Sequence, residues 1–168
     1  MIVSNATPLI YLSKIGKLGL LKRVFGEVYI PEEVKREAVD RGKELKKGDT
    51  LVIEKAIEDG WLKVSKAEPI ESPIELEPGE TAAISLAKKL GGQEVLIDEV
   101  SARTAARLLG LKPKGTVLVL LKTLEEGEMN LDEFLETMND LVEHGFRLRE
   151  EVYIEAIRKA REIEEAKS

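Results

Sequence analysis

Apolar positions along this chain fall into two rhythms that alternate: short continuous runs and stripes at helical spacing. Ile2-Val3-Ser4 reads as a short buried strand. Pro8 predicts the start of a helix, because its missing N–H costs nothing in a first turn, and Leu9, Ile10, Leu12 and Ile15 form its apolar face. Gly16 breaks that helix, and Leu18, Leu20, Leu21, Val24 and Phe25 predict a second short one. Val28-Tyr29-Ile30 is a strand, and Pro31 at its end opens a helix to about Val39. Gly42 to Gly48 reads as a charged loop. Asp49 then caps a helix whose inward positions are predicted as Leu51, Val52, Ala56 and Ile57. Gly60 ends it, and Trp61-Leu62-Lys63-Val64 alternates like a strand.

Residues 66–78 carry Pro69, Pro73 and Pro78 among several glutamates. They read as a surface loop or edge segment, where lids and partner contacts occur. A helix opening at Glu80 runs to about Leu90 and stops at Gly91-Gly92. Val95-Leu96-Ile97 is a continuous apolar run of the kind found inside a parallel sheet. Ser101 to Leu109 is a helix ended by Gly110, and Lys112-Pro113-Lys114-Gly115 reads as an edge strand, where proline is tolerated. Val117 to Leu124 starts with β-branched character, but its length up to Gly127 favours a helix. Two more helices follow, Leu131 to Val142 and Glu151 to Glu165, the last with apolar positions Val152, Ile154, Ala156, Ile157 and Ile163. Trp61 and Phe134 read as core residues. Alternating strands and helices predict a three-layer α/β domain with parallel strands.

Composition narrows the chemistry. The 168 residues suffice for one domain with a real core, and 43% hydrophobic with 35% charged residues is a globular balance. Zero cysteines exclude disulfides and thiolate metal sites, and the one histidine leaves serine triads without a partner. His144, beside Gly145, reads as a helix-end or surface residue. Heavy use of Glu and Lys fits a heat-adapted, thermophile protein. The chain enters a strand without a basic leader, and no apolar run approaches the ~20 residues of a membrane span; a cytoplasmic protein is expected. The net charge of −6 argues against binding nucleic acid through bulk positive charge. It leaves open an acidic, metal-filled pocket with a local basic rim. Lys14, Lys17, Lys22 and Arg23 form one basic cluster and Arg103, Arg107, Lys112 and Lys114 another, although solvated helix faces are the plainer explanation.

Four positions at structural boundaries carry the candidate chemistry: Asn5 after the first strand, Glu37 after the second, Glu80 at a helix start, and Asp98, followed by Glu99, after the Val-Leu-Ile run. Strand ends of an open parallel sheet converge on a ligand crevice, and oxygen donors there suit Mg²⁺ or Mn²⁺. Each has a plainer explanation too. Asn5 with Thr7, and Asp98, read as helix N-caps. Glu80 suits a helix N-terminus, though Pro78-Gly79 before it shapes a tighter approach than a cap requires. Glu37 reads on sequence alone as a solvated glutamate among Glu32, Glu33, Lys35 and Arg36. No Gly-x-Gly-x-x-Gly or Gly-Lys-Thr motif cradles a nucleotide.

Taken in order, Ser4-Asn5-Ala6-Thr7-Pro8-Leu9-Ile10, Val28-Tyr29-Ile30-Pro31 with Glu37, Gly79-Glu80-x-x-Ala83-Ile84, Leu96-Ile97-Asp98-Glu99 with Arg103, and Gly115-Thr116 resemble the PIN-domain family. The likeness is to a prokaryotic branch related to VapC-type toxin ribonucleases. It covers about residues 1–146 and leaves 147–168 as a C-terminal helical extension suited to dimerisation or partner binding. The resemblance implies a five-stranded parallel sheet in an α/β/α sandwich. It implies a Mg²⁺- or Mn²⁺-dependent endonuclease acting on single-stranded RNA, held by an antitoxin protein, with a homodimer expected. By position, Asn5, Glu37, Glu80 and Asp98 stand where the family's four acids stand. Glu99 is an accessory ligand, Thr7 and Thr116 supporting hydroxyls, and Arg103 and Lys14 nucleic-acid contacts. Asn5 departs from the pattern: an amide coordinates but adds no charge and cannot act as a base. A PIN fold that has lost robust catalysis, working as a nucleic-acid- or protein-binding regulatory module, is the alternative.

Overall fold

The strand-like segments become five short strands, β1 (Ile2–Ser4), β2 (Val28–Pro31), β3 (Leu62–Ser65), β4 (Glu94–Leu96) and β5 (Lys112–Lys114). The structure, a computed structural model, describes residues 1–41 and 49–167, so the charged segment Gly42 to Gly48 lies outside the described residues. All strand pairs are parallel, in the order β3-β2-β1-β4-β5. Register runs through Ile2↔Val28, Ser4↔Leu96, Val28↔Leu62 and Leu96↔Lys114. The inner strands are buried on both faces, which is why Val3, Val28, Ile30, Val95 and Leu96 are apolar without alternation. Pro113 sits on the edge strand β5, where one ladder N–H is dispensable.

The first six helices are α1 (Ala6–Lys14), α2 (Gly19–Phe25), α3 (Glu32–Lys35), α4 (Asp49–Glu58), α5 (Pro78–Lys89) and α6 (Val100–Leu108). They complete a three-layer α/β domain of the expected class. α3 continues directly into a π-helical turn, Arg36–Asp40. α1 begins two residues before Pro8, not at it. Pro8 is tolerated because N–H groups of the first turn have no helical partner in any case. The inward face of α4 is also corrected. Thr50, Ile53 and Ala56 are buried, whereas Leu51 and Val52 are exposed. Positions i, i+3 and i+6 share one face, and the next two residues along the chain turn away from it. Trp61 is only half-buried, while Phe134 is fully buried.

Segment 66–77 has no regular structure but is anchored. Ala67, Ile70, Ile74 and Leu76 pack on the core cluster around Ile84, Leu86, Val95 and Ala105. Ser85 Oγ donates to the Glu68 carbonyl and Lys89 Nζ to the Lys66 carbonyl at 3.0 Å. It is a strap that delivers the chain to α5.

By internal contacts the chain forms two compact units, Met1–Thr116 and Val117–Ser168. The helices α7 (Thr116–Glu125), α8 (Leu131–Glu143) and α9 (Glu150–Ala166) account for the second. Asn130 caps α8, its side chain accepting the Glu133 N–H at 2.8 Å. α9 packs along α8, and Lys167 Nζ donates to the Leu124 carbonyl. The buried positions of α9 are Ala156 and Ala160. Val152 and Ile154 are exposed on the single chain, which leaves them open to a second subunit. Truncation after Gly145 removes this contact and is expected to lower Tm by more than about 5 °C. An unchanged melting curve would show α9 to be unattached. No described helix is long and apolar enough to cross a membrane.

Candidate active site

Parallel strands place all their carboxyl ends on one edge of the sheet, and a polar side chain of interest follows each one. Asn5 follows β1, Glu37 follows β2 through α3, and Glu80 follows β3 in the first turn of α5. Asp98 and Thr116 each come two residues after β4 and β5. The strand order reverses between β1 and β4: β2 and β3 are laid down on one side of β1, β4 and β5 on the other. A ligand crevice forms at such a switch point. Asn5 and Asp98 border it, tied by the Ser4↔Leu96 pairing and by the Asn5 N–H donating to the Leu96 carbonyl at 2.9 Å.

Asn5 occupies the N-cap position of α1 but makes no side-chain cap bond. The residue is 4% exposed, and among the described residues its Oδ1 is a buried polar atom with no hydrogen-bond partner. An unpaired buried acceptor costs on the order of 1–3 kcal/mol, so helix capping does not account for this side chain.

Asp98 does not cap α6 either. Its two oxygens accept from Thr116, Oδ1 from the N–H and Oδ2 from the hydroxyl, both at 2.7 Å. Gly115 makes room for this arrangement: a Cβ there would lie 3.0 Å from Asp98 Oδ1 and 2.8 Å from Arg103 Nη1. Arg103 is half-buried and donates to the Ile97 carbonyl at 3.4 Å, so it is not part of a solvated basic face. Burial pushes the Asp98 carboxyl above its ordinary range, opposed by the Thr116 bonds and the Arg103 charge. Burial lowers the Arg103 guanidinium, helped by the Arg107 charge and opposed by Asp98.

Glu80 is 8% exposed and belongs to a reciprocal capping box. Its Oε1 accepts the Glu77 N–H at 3.0 Å, and the Glu77 side chain accepts the Glu80 N–H. The helix-start reading of Glu80 therefore holds, alongside its place at the crevice. Burial raises its carboxyl; the Glu77 N–H opposes that, and the Glu99 and Glu77 charges add to it.

Glu37 corrects the reading as a solvated glutamate. It lies in the π-helical turn, a feature frequent at functional sites, and its carboxylate accepts the Gly79 N–H. A Cβ on Gly79 would overlap this carboxylate, with Cδ at 3.1 Å, which explains the tight Pro78-Gly79 approach. Burial raises the Glu37 carboxyl; Arg41 opposes the rise, while Glu80 and Glu77 add to it. Electrostatic neighbours thus link Glu37 to Glu80, Glu80 to Glu99, and Glu99 to Asp98.

Thr7 stands partly exposed in the first turn of α1. Lys14 is not brought to this edge by α1: it lies nine residues beyond Asn5, about 13 Å along the axis, with its ammonium 5.0 Å over the Tyr11 ring. Two participants were missed, Glu77 and Arg41. Both had a signal: Glu77 and Glu80 have capping-box spacing, and Arg41 is four residues from Glu37. Among the described residues, no three Asp, Glu or His side chains form a ready metal-binding group.

The raised carboxyls have a pH consequence. A carboxyl raised by folding binds more protons folded than unfolded, so its contribution to stability falls as pH rises from the unfolded to the folded pKa. Glu37→Gln is therefore expected to raise Tm relative to wild type at pH 7. The difference should vanish below about pH 4, the ordinary carboxylate range. A destabilised variant at pH 7 would mean that the Gly79 bond outweighs burial.

A family model described as a PIN domain matches residues 1–162, from β1 through most of α9. No curated protein and no solved structure matches the chain. With five parallel strands, a polar side chain after each strand end and a family match over nearly the whole length, this chain belongs to the PIN-domain family.

Proposed function

We propose that the chain is a Mg²⁺- or Mn²⁺-dependent endoribonuclease of the VapC toxin type, acting on single-stranded RNA in the cytoplasm. A PIN domain is generally a nuclease fold that uses divalent metal ions. The observation that carries the reading is the gathering of oxygen side chains at the switch point, with the buried Asn5 Oδ1 left without a partner. The donor set fits a hard cation, since every side chain offered is a carboxylate or an amide oxygen. Three clustered acids are not required, because Mg²⁺ keeps several waters and takes one or two carboxylates plus substrate phosphate.

Glu80 and Asp98 would be the principal ligands, with Asn5 as a neutral one and Glu99 as an accessory. The chemistry supplied with a bound cation is Lewis acidity toward water and toward the scissile phosphate. Thr116 holds Asp98 in one orientation through both its oxygens. The Glu77 N–H holds Glu80 through Oε1 alone, and the Gly79 N–H bonds Glu37, which would orient the attacking water. Arg103 would meet a phosphate beside Asp98, and Thr7 would support Asn5. An antitoxin protein and a second copy of the chain are the partners proposed.

Asn5 favours a second reading, a PIN fold working as a regulatory binding module, because an amide adds no charge for the ion. Incubation of wild type with single-stranded RNA and Mn²⁺ or Mg²⁺, with and without chelator, separates the two. Slow cleavage that the chelator stops is expected. If neither wild type nor Asn5→Asp cuts RNA or DNA with either ion, the binding-module reading takes its place.

A further inference from the structure

Among the described residues, Asn5 Oδ1 is the buried side-chain oxygen that has no hydrogen-bond partner. Asp98 already accepts twice from Thr116, Glu80 once from Glu77, and Glu37 once from Gly79. The described residues offer no ready group of three acids. Beside Asp98 the half-buried Arg103 adds a positive charge, held close by the absent side chain of Gly115. Position 5 thus offers the crevice an oxygen without charge, and Arg103 sets one positive charge beside Asp98.

We propose that the divalent cation and a phosphate group bind this crevice cooperatively. Asn5 Oδ1 contacts the ion, a phosphate oxygen supplies the negative charge that a carboxylate at position 5 would have supplied, and Arg103 contacts the same phosphate. This rests on the reading of the crevice as a cation site. Mg²⁺-type sites commonly complete their shell with substrate phosphate. A neutral amide does not repel that phosphate, whereas a carboxylate would. By linkage, the factor by which phosphate tightens the cation equals the factor by which the cation tightens phosphate.

The test is Mn²⁺ binding by calorimetry to the full-length protein, alone and with saturating thymidine 3′,5′-bisphosphate. That probe carries phosphate groups and no diester bond to cut. Binding of Mn²⁺ by the probe itself is subtracted in a blank titration. The expected result is a Mn²⁺ Kd at least tenfold lower with the probe, and a probe Kd lowered by the same factor with Mn²⁺. Asn5→Asp should bind Mn²⁺ more tightly alone and lose most of the coupling. Arg103→Gln should lose coupling as well, which covers the case of an Asn5→Asp variant that does not fold. Equal Mn²⁺ affinity with and without the probe would overturn the inference while leaving the cation site standing. No Mn²⁺ binding under either condition would remove the cation site and the inference together.

Discussion

Asp98→Asn is expected to abolish metal-dependent RNA cleavage while leaving the fold intact. The variant keeps an oxygen to accept the Thr116 N–H, and its new amide can donate to the Thr116 hydroxyl, so both bonds to Thr116 survive. Burial already disfavours the charge on this side chain, and a neutral amide of the same shape costs the fold little. What disappears is the charge at the border of the switch point. Loss of one preorganised electrostatic group at a reacting centre commonly costs ~10²-fold or more in rate. Melting temperature, Mn²⁺ affinity and cleavage of a single-stranded RNA should be measured on the same preparation. An unchanged Tm with cleavage lost supports the assignment. Cleavage at the wild-type rate would remove Asp98 from the chemistry.

Gly79→Ala is expected to lower cleavage about tenfold with little change in stability, an unusual split for a substitution in a helix. The added methyl would overlap the Glu37 carboxylate. That carboxylate ends a flexible side chain and can swing aside, while alanine in place of glycine favours the helix by up to ~1 kcal/mol. The loss should therefore run entirely through Glu37. A double-mutant cycle tests this: Gly79→Ala combined with Glu37→Ala should be no worse than Glu37→Ala alone, since the two act on one element. Additive losses would show that Gly79 matters for some other reason. Glu37→Ala at the wild-type rate would show that Glu37 takes no part.

The π-helical turn bears on the same side chain. A π-turn advances the chain by one residue relative to an α-helix, so it changes which side chains face inward. Glu37 lies in this turn and reaches Gly79, with Ala38 and Val39 buried beside it. Nothing in Arg36-Glu37-Ala38-Val39-Asp40 announces this locally, because charges at that spacing fit a solvated α-helix equally well.

Several features were legible in the chain because local rules govern them. The strands at Ile2, Val28 and Glu94 follow from short apolar runs, that at Leu62 from alternation and that at Lys112 from a proline tolerated on an edge, and the helices follow from their stripes and stop signals. The parallel sheet follows from strict alternation of the two, since a crossover helix between strands leaves them parallel. The ordered blocks around Asn5, Glu37, Glu80, Asp98 and Thr116 carry the family likeness, which the match over residues 1–162 bears out. Capping at Asn130 and the reciprocal box at Glu80 are also local.

Only the tertiary structure decided what each polar side chain does. Asn5 and Asp98 had ordinary explanations as N-caps. They are set apart by what lies elsewhere along the chain: Asp98 bonds Thr116, and Asn5 Oδ1 is buried with no hydrogen-bond partner among the described residues. Glu37 and Gly79 meet across more than forty residues, and neither position hints at the other. Likewise, the spacing in α4 and α9 marks them as helices, but which stripe is buried depends on the surface each one meets. That is why Leu51, Val52, Val152 and Ile154 lie outside while Thr50 and Ala160 lie within. Periodicity is a property of the chain, whereas burial and pairing are properties of what the fold brings beside it.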